Sequence, residues 1–179
     1  MLPKGVSVPS YRVKQQPAGC LASVLFVCMG NICRSPTAEM VFRTQAVRAG
    51  VHDRLVIESA GIGDWHVGQP PDKRAILHGR RRGYDLSRLR ARQVTREDFE
   101  RFDWILAMDR RNLRDLAALK PEAYAGYLGM FLDFVPDLGI REVPDPYFGS
   151  AEGFEKVLEL TERASEALLA RILENRASS

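Results

Sequence analysis

The sequence holds only three cysteines and three histidines in 179 residues, and no apolar run approaches the roughly 18 residues a membrane helix needs. Each shortage excludes something. Cys20, Cys28 and Cys33 all lie within fourteen residues, so they cannot form a disulfide framework that spans a domain. Thiols kept reduced in the cytoplasm are the natural expectation. His52, His66 and His78 show no metal-ligand spacing, so neither metal nor cofactor is expected, and the three read as surface residues. Charge is nearly balanced, with 26 Lys and Arg against 23 Asp and Glu for a net +3. No aromatic stripe alternates with the basic residues, so neither a nucleic-acid partner nor membrane insertion is expected. Met1 to Gly19 contains Pro3, Pro9 and Pro17 but no apolar stretch of the kind a secretory signal carries.

What remains is an ordinary globular composition, 45% apolar and 27% charged, enough for one well-formed core. We read residues 1–20 as a flexible extension and 21–175 as a single domain without repeat or linker. Val24-Leu25-Phe26-Val27 is an unbroken apolar run, the mark of a central parallel strand covered on both faces. Ser35-Pro36 reads as a helix N-cap and first helical residue, and Gly50 as the stop. Leu55-Val56-Ile57 and Trp104 to Met108 read as further strands, with a fourth expected between Gly126 and Pro146. Helices are expected over Lys73 to Arg82 and Asp109 to Leu119, with a short one near Thr95 and Asp98 that resembles a capping box. A long closing helix places Phe154, Val157, Leu158, Thr161, Ala164, Leu168 and Ile172 on one face. Alternating strands and helices predict an α/β three-layer sandwich around a central four-stranded parallel sheet.

The informative stretch is Cys28-Met29-Gly30-Asn31-Ile32-Cys33-Arg34-Ser35, between a buried strand and a helix start. Ligands of open parallel sheets bind at the carboxyl ends of strands, where helix N-termini offer free N–H groups and a favourable dipole to anions. The five residues between Cys28 and Arg34 suffice to wrap a tetrahedral oxyanion in main-chain amides, with Gly30 expected to take an unusual backbone angle. Arg34 would return its guanidinium to two oxygens of that anion, in the fork geometry Lys lacks. Amides, dipole and Arg34 together favour thiolate over thiol at Cys28, making it a nucleophile, while Ser35 is placed to donate a hydrogen bond to its sulfur. A buried cysteine beside an unrelated arginine is the bland alternative, and the absence of a Walker lysine favours the phosphate cradle over other phosphate loops.

These residues resemble the signature of the low-molecular-weight protein tyrosine phosphatases. The resemblance runs from residue 23 to about 173, through Ser59-Ala60-Gly61, Asp64-Trp65-His66-Val67-Gly68, Ala91-Arg92-Gln93-Val94, Met108-Asp109 with Asn112, and Asp145-Pro146-Tyr147-Phe148-Gly149, all in family order. It implies Cys28 as nucleophile, Arg34 as phosphate clamp and Asp145 as the general acid that protonates the leaving oxygen and then activates water. It implies tyrosine-phosphorylated proteins as substrates and phosphate as product. Met29, Gly30, Asn31, Ile32, Cys33 and Ser35 would surround the phosphate, and Trp65 and Tyr147 would wall a slot too deep for a serine phosphate. Cys33, by the same resemblance, pairs with Cys28 under oxidation. Asn31, Ser35 and Ser59 resemble a polar network that relatives often complete with a histidine where this chain has Leu89. Phe148 stands where relatives often carry a second tyrosine.

Three other readings compete. A thiol-dependent arsenate reductase needs relay cysteines downstream, and none follows Cys33. Protein-arginine phosphatases typically carry threonine where this chain has Ile32 and lack an aromatic equivalent to Tyr147. A catalytically dead phosphate-binding module needs neither a nucleophile nor an acid. The arginines at 80, 81, 82, 88, 90 and 92 read as a solvated helix end, the alternative being a docking patch for acidic phosphopeptides.

Overall fold

A computed structural model describes residues 18–178. The extension expected over 1–20 therefore lies, for residues 1–17, outside the described residues. Four parallel strands form the centre: β1 (Ala22–Cys28), β2 (Leu55–Gly61), β3 (Trp104–Ala107) and β4 (Tyr127–Met130), in spatial order β2-β1-β3-β4. Helices α1 (Arg34–Arg48), α2 (Lys73–Arg81), α3 (Asp98–Arg101), α4 (Arg110–Leu119) and α5 (Ala151–Ala177) connect and close the sheet. This is the expected α/β sandwich. The chain steps from β1 to one side and returns to the other, so the strand order reverses at β1 and a crevice opens at its carboxyl end.

Strand alternation decides which groups face which layer. Val24, Phe26 and Cys28 point to the side packed by α1 and α5, among Phe42, Phe131, Leu160 and Leu168. Leu25 and Val27 point to the opposite layer, with Phe99 and Phe102 around α3 and Leu116 on α4. Phe26 is fully buried, its ring edge-on to Phe42 at 5.6 Å and to Phe131 at 5.0 Å. Cys28 thus ends a strand whose position is locked by close packing, and the loop after it starts from a rigid base.

Two local expectations fail for a tertiary reason. Helix α1 begins at Arg34 with Cys33 at its N-cap and no side-chain cap, so Ser35 lies inside the first turn, fully buried. A capping hydroxyl would occupy N–H groups that an anion site must leave free. His78 is not a surface histidine but buried, stacked on Phe154 at 5.8 Å with Nδ1 2.6 Å from Glu155. It follows Ala75 by three positions, on the α2 face turned toward α5. The capping box near Thr95 is half formed, the Thr95 N–H donating to Asp98 Oδ2 at 2.8 Å.

Candidate active site

The loop from Cys28 to Arg34 is buttressed from outside by the segment joining β2 to α2. Ile62 and Gly63 donate their N–H groups to the carbonyls of Cys28 and Met29, both at 2.9 Å, and Asp72 donates to that of Ile32 at 2.8 Å. The N–H groups of Gly30, Asn31, Ile32 and Cys33 donate to no protein acceptor among the described residues. Carbonyls are spent outward and amides are left over, which is the polarity an oxyanion requires.

The unusual backbone angle falls on Asn31, with φ of 57°, and not on Gly30. Gly30 serves another need: a Cβ there would lie 3.0 Å from Cδ2 of His66, whose ring rests against the cradle. A left-handed asparagine costs on the order of 1–2 kcal/mol, and its side chain explains why it is tolerated. Asn31 Oδ1 accepts the Arg92 N–H at 3.0 Å, which fixes the amide orientation. Nδ2 then donates to Ser35 Oγ at 2.8 Å and to Ser59 Oγ at 2.9 Å.

That orientation sets the protons of both hydroxyls. Ser35 Oγ accepts from Asn31, so its own proton is available to Cys28 Sγ at 3.0 Å, with the Ala60 carbonyl as a longer alternative at 3.3 Å. Ser59 Oγ likewise accepts from Asn31 and donates to Glu39 Oε1 at 2.8 Å. The network thus closes on a buried carboxylate and needs no histidine at the Leu89 position, where the side chain packs against an apolar cluster. Burial pushes the Glu39 carboxyl up from its ordinary value, with Ser59 and Arg43 opposing.

Arg34 is 2% exposed. Its Nη1 donates to Asp109 Oδ2 at 2.7 Å and to the Val143 carbonyl at 3.0 Å, while Nη2 lies 3.6 Å from Asp145 Oδ2. Burial opposes its charge, but Cys28, the Asp109 bond and Asp145 outweigh that and hold the guanidinium above its ordinary value. Asp109 also caps α4, its Oδ1 accepting the Asn112 N–H at 2.7 Å. In the sequence Asp109 stands only within the block Met108-Asp109 with Asn112 and at a helix start; its hold on Arg34 is not visible there, because that partner lies 75 residues away.

Cys28, Met29, Gly30, Ile32, Cys33, Arg34, Trp65, Asp145 and Tyr147 line one cavity of about 200 Å³, joined by His66 and Phe148. That is below the roughly 300–1,000 Å³ of sites for extended ligands, so it suits one phosphorylated side chain. Asn31 and Ser35 do not line it but lie buried behind it. The walls are more open than expected of a deep slot: Trp65 is 64% and Phe148 95% exposed. Trp65 packs against Gly63, where a Cβ would fall 1.8 Å from the indole Cζ3. Asp145 hangs over the mouth, 48% exposed, with Oδ1 accepting the Tyr147 N–H at 3.1 Å. Cys33 is a buried free thiol pushed well up by burial and, after it, by Asp72, Cys28 and Asp145. Cys20 is buried away from the cavity, its thiol directed to the Ala22 carbonyl.

Residues 23–178 match the family model described as low molecular weight phosphotyrosine protein phosphatase. The low molecular weight protein-tyrosine-phosphatase YfkJ of Bacillus subtilis is 41% identical over 152 residues, spanning 85% of this chain and 96% of that protein. Its crystal structure superposes with a TM-score of 0.82 at 40% identity, covering 89% of this chain and 99% of that one. A protein tyrosine phosphatase from Entamoeba histolytica, with Hepes in its active site, gives 0.81 at 37% identity, covering 87% and 99%. A Drosophila arginine phosphatase gives 0.77 at 30% identity, covering 83% and 96%.

Proposed function

The chain belongs to the low molecular weight phosphotyrosine protein phosphatase family, and from that premise we propose that it hydrolyses protein phosphotyrosine through a cysteinyl-phosphate intermediate. One observation carries the reading: Cys28, Arg34 and Asp145 converge on a single cavity whose floor presents unspent main-chain amides. The phosphate dianion enters the cradle of residues 29–33, and Arg34 binds it through the guanidinium face not held by Asp109. Cys28 thiolate attacks phosphorus as the P–O bond to tyrosine breaks, and Asp145 in its protonated form gives that oxygen its proton. Tyrosine leaves. Asp145, now ionised, takes a proton from water as the water attacks phosphorus. The S–P bond breaks, inorganic phosphate is released, and the Ser35 proton stabilises the departing thiolate.

Trp65 and Tyr147 supply the aromatic walls that grip the phenyl ring, and the single domain over 21–175 carries the whole site. Tyrosine-phosphorylated proteins are the partners and the cytoplasm the expected compartment, since a thiolate nucleophile works where thiols stay reduced. The arginine reading is weaker because Ile32 and Tyr147 give the pocket an apolar, aromatic lining. Arsenate reduction lacks relay cysteines after Cys33. The test is turnover of phosphotyrosine, phosphoserine, phosphoarginine and arsenate side by side. Phosphotyrosine should dominate in the parent, and Cys28→Ser should abolish turnover while inorganic phosphate still binds. Asp145→Ala should cost roughly 10²–10⁴-fold with tyrosine-like leaving groups and much less with readily departing ones. Faster turnover of phosphoarginine, or a phosphoenzyme trapped elsewhere than Cys28, would sink the reading.

A further inference from the structure

Helix α2 opens beside the cavity, and its first turn makes contacts in two directions. Asp72, its N-cap, donates its N–H to the Ile32 carbonyl of the cradle at 2.8 Å. The Asp72 carboxylate receives Arg74 as a fork: Oδ1 accepts from the Arg74 N–H at 2.8 Å and from Nε at 3.0 Å, and Oδ2 accepts from Nη2 at 2.9 Å. The same Nη2 donates to the Tyr147 carbonyl at 2.9 Å. The guanidinium carbon also sits 4.7 Å from the Phe154 ring centroid and 5.7 Å from that of Tyr147. Tyr147, in turn, donates its N–H to Asp145 Oδ1.

We propose that Arg74 is a positioning residue that holds Asp145 over the cradle, through the chain Ile32–Asp72–Arg74–Tyr147–Asp145. This rests on the proposed role of Asp145 as general acid. The chain closes a ring of contacts, because Asp145 Oδ2 approaches Arg34 at the far side of the same cradle. Without Arg74, the loop of Asp145, Tyr147 and Phe148 is exposed and has one tether fewer. Its carboxylate would then sample positions away from the leaving oxygen. An Asp–Arg pair two residues apart is satisfied locally and needs no third partner. The extra bond from Nη2 to Tyr147, 73 residues away, is what links it to the acid. The planar fork matters here: Asp72 fixes the guanidinium in plane, and the remaining N–H is thereby aimed. Lysine would bring the charge without that aim.

The experiment measures kcat/KM, which covers departure of the leaving group, for a series of aryl phosphates from phenyl to dinitrophenyl. Arg74→Ala is expected to lose about ten- to a hundredfold with phenyl phosphate and less than about threefold with the dinitrophenyl ester. Arg74→Lys should fall between parent and Arg74→Ala. In the Asp145→Ala background, Arg74→Ala should cost nothing further, because the two act as one unit. Inhibition by inorganic phosphate should change little, since the cradle stays intact. An equal loss across leaving groups, additive losses in the double variant, or phosphate binding lost in parallel would overturn the proposal and give Arg74 a role in the cradle. If the parent itself turned over no aryl phosphate, the functional reading would fall instead. A parent that is active while Arg74→Ala matches it sinks only this inference.

Discussion

Asp109 grips Arg34 from behind, Oδ2 to Nη1 at 2.7 Å, so one end of the guanidinium is spent on the protein and the other left for the ligand. The pair is partly buried, and Arg34 is nearly enclosed. Enclosure makes the geometry stiff, which is what a clamp on a reacting phosphoryl group requires.

The first prediction follows from that grip. Asp109→Ala leaves a buried guanidinium with only the Val143 carbonyl and Asp145 to orient it. We expect kcat/KM for aryl phosphates to fall about 100-fold, the usual effect of an ångström-scale misplacement, and phosphate inhibition to weaken with it. Loss of the α4 cap should cost about 1 kcal/mol of stability. Asp109→Asn keeps the cap but removes the charge opposite a buried guanidinium, so it should recover only the cap's share of the stability while activity still drops. Parental kinetics in Asp109→Ala would show that Arg34 orients itself.

Much of this was legible in the residue pattern, and the remainder has a common cause. The unbroken apolar run Val24–Val27, the Cys28 to Arg34 spacing and the 3.6-residue period of the α5 face are local patterns, and the structure keeps them. For Ser35 the expected bond to the Cys28 sulfur is present, whereas the capping signal of the Ser-Pro context is overridden, because the hydroxyl is committed to that sulfur and Cys33 takes the N-cap position. Glycine adopts a left-handed angle freely, which makes Gly30 the expected place for it. Asn31 bears it instead, since only a side chain with donors and an acceptor ties Ser35, Ser59 and Arg92 together. Asp109, Glu39, Arg74 and His78 act through partners distant in the chain, and no local spacing reports such contacts.

A second prediction concerns the wall. Trp65 occupies the space over Gly63 that any Cβ would fill. Gly63→Ala must therefore displace the indole from its place in the wall. The expected result is a raised KM for aryl phosphates with inhibition by inorganic phosphate unchanged, because the cradle amides are untouched. Trp65→Ala should give the same pattern, and the double variant should be no worse than Trp65→Ala. Parental KM in Gly63→Ala would mean that the ring contributes nothing to binding.

The third prediction is about pH and stability. Glu39 has its folded-state pKa raised above the ordinary 4.5 by burial. A carboxyl raised in this way penalises the fold when ionised. The penalty sets in as pH rises through 4.5 and is complete above the folded value. Glu39→Gln keeps an acceptor for Ser59 and removes the charge. Its melting temperature relative to the parent should therefore climb as pH rises from 4.5 and level off once pH exceeds the folded value. Thermal melts from pH 4 to 7 test this. A difference that is flat with pH, or that shrinks as pH rises, would contradict the raised pKa.

The last prediction is redox control, motivated by two free cysteines lining one cavity. Cys28 thiolate attacks peroxide as it attacks phosphorus, giving Cys28 sulfenic acid and hydroxide. Cys33 is held as a neutral thiol by burial and by the negative groups around it, Cys28 among them. It should therefore leave the first oxidation to Cys28. Once Cys28 is a neutral sulfenic acid, one of the charges opposing ionisation of Cys33 is gone. Condensation then joins the two sulfurs, expels water and lowers the mass by two hydrogens. Activity should vanish with peroxide and return with a dithiol. In Cys33→Ser no resolving thiol is present, so the protein should gain one oxygen and then more, and recovery should be poor. Cys20→Ser should recover like the parent, because that thiol faces Ala22 and not the cavity. Intact-mass measurement before and after the dithiol separates these outcomes, and equal recovery of the parent and Cys33→Ser would reduce Cys33 to a packing residue.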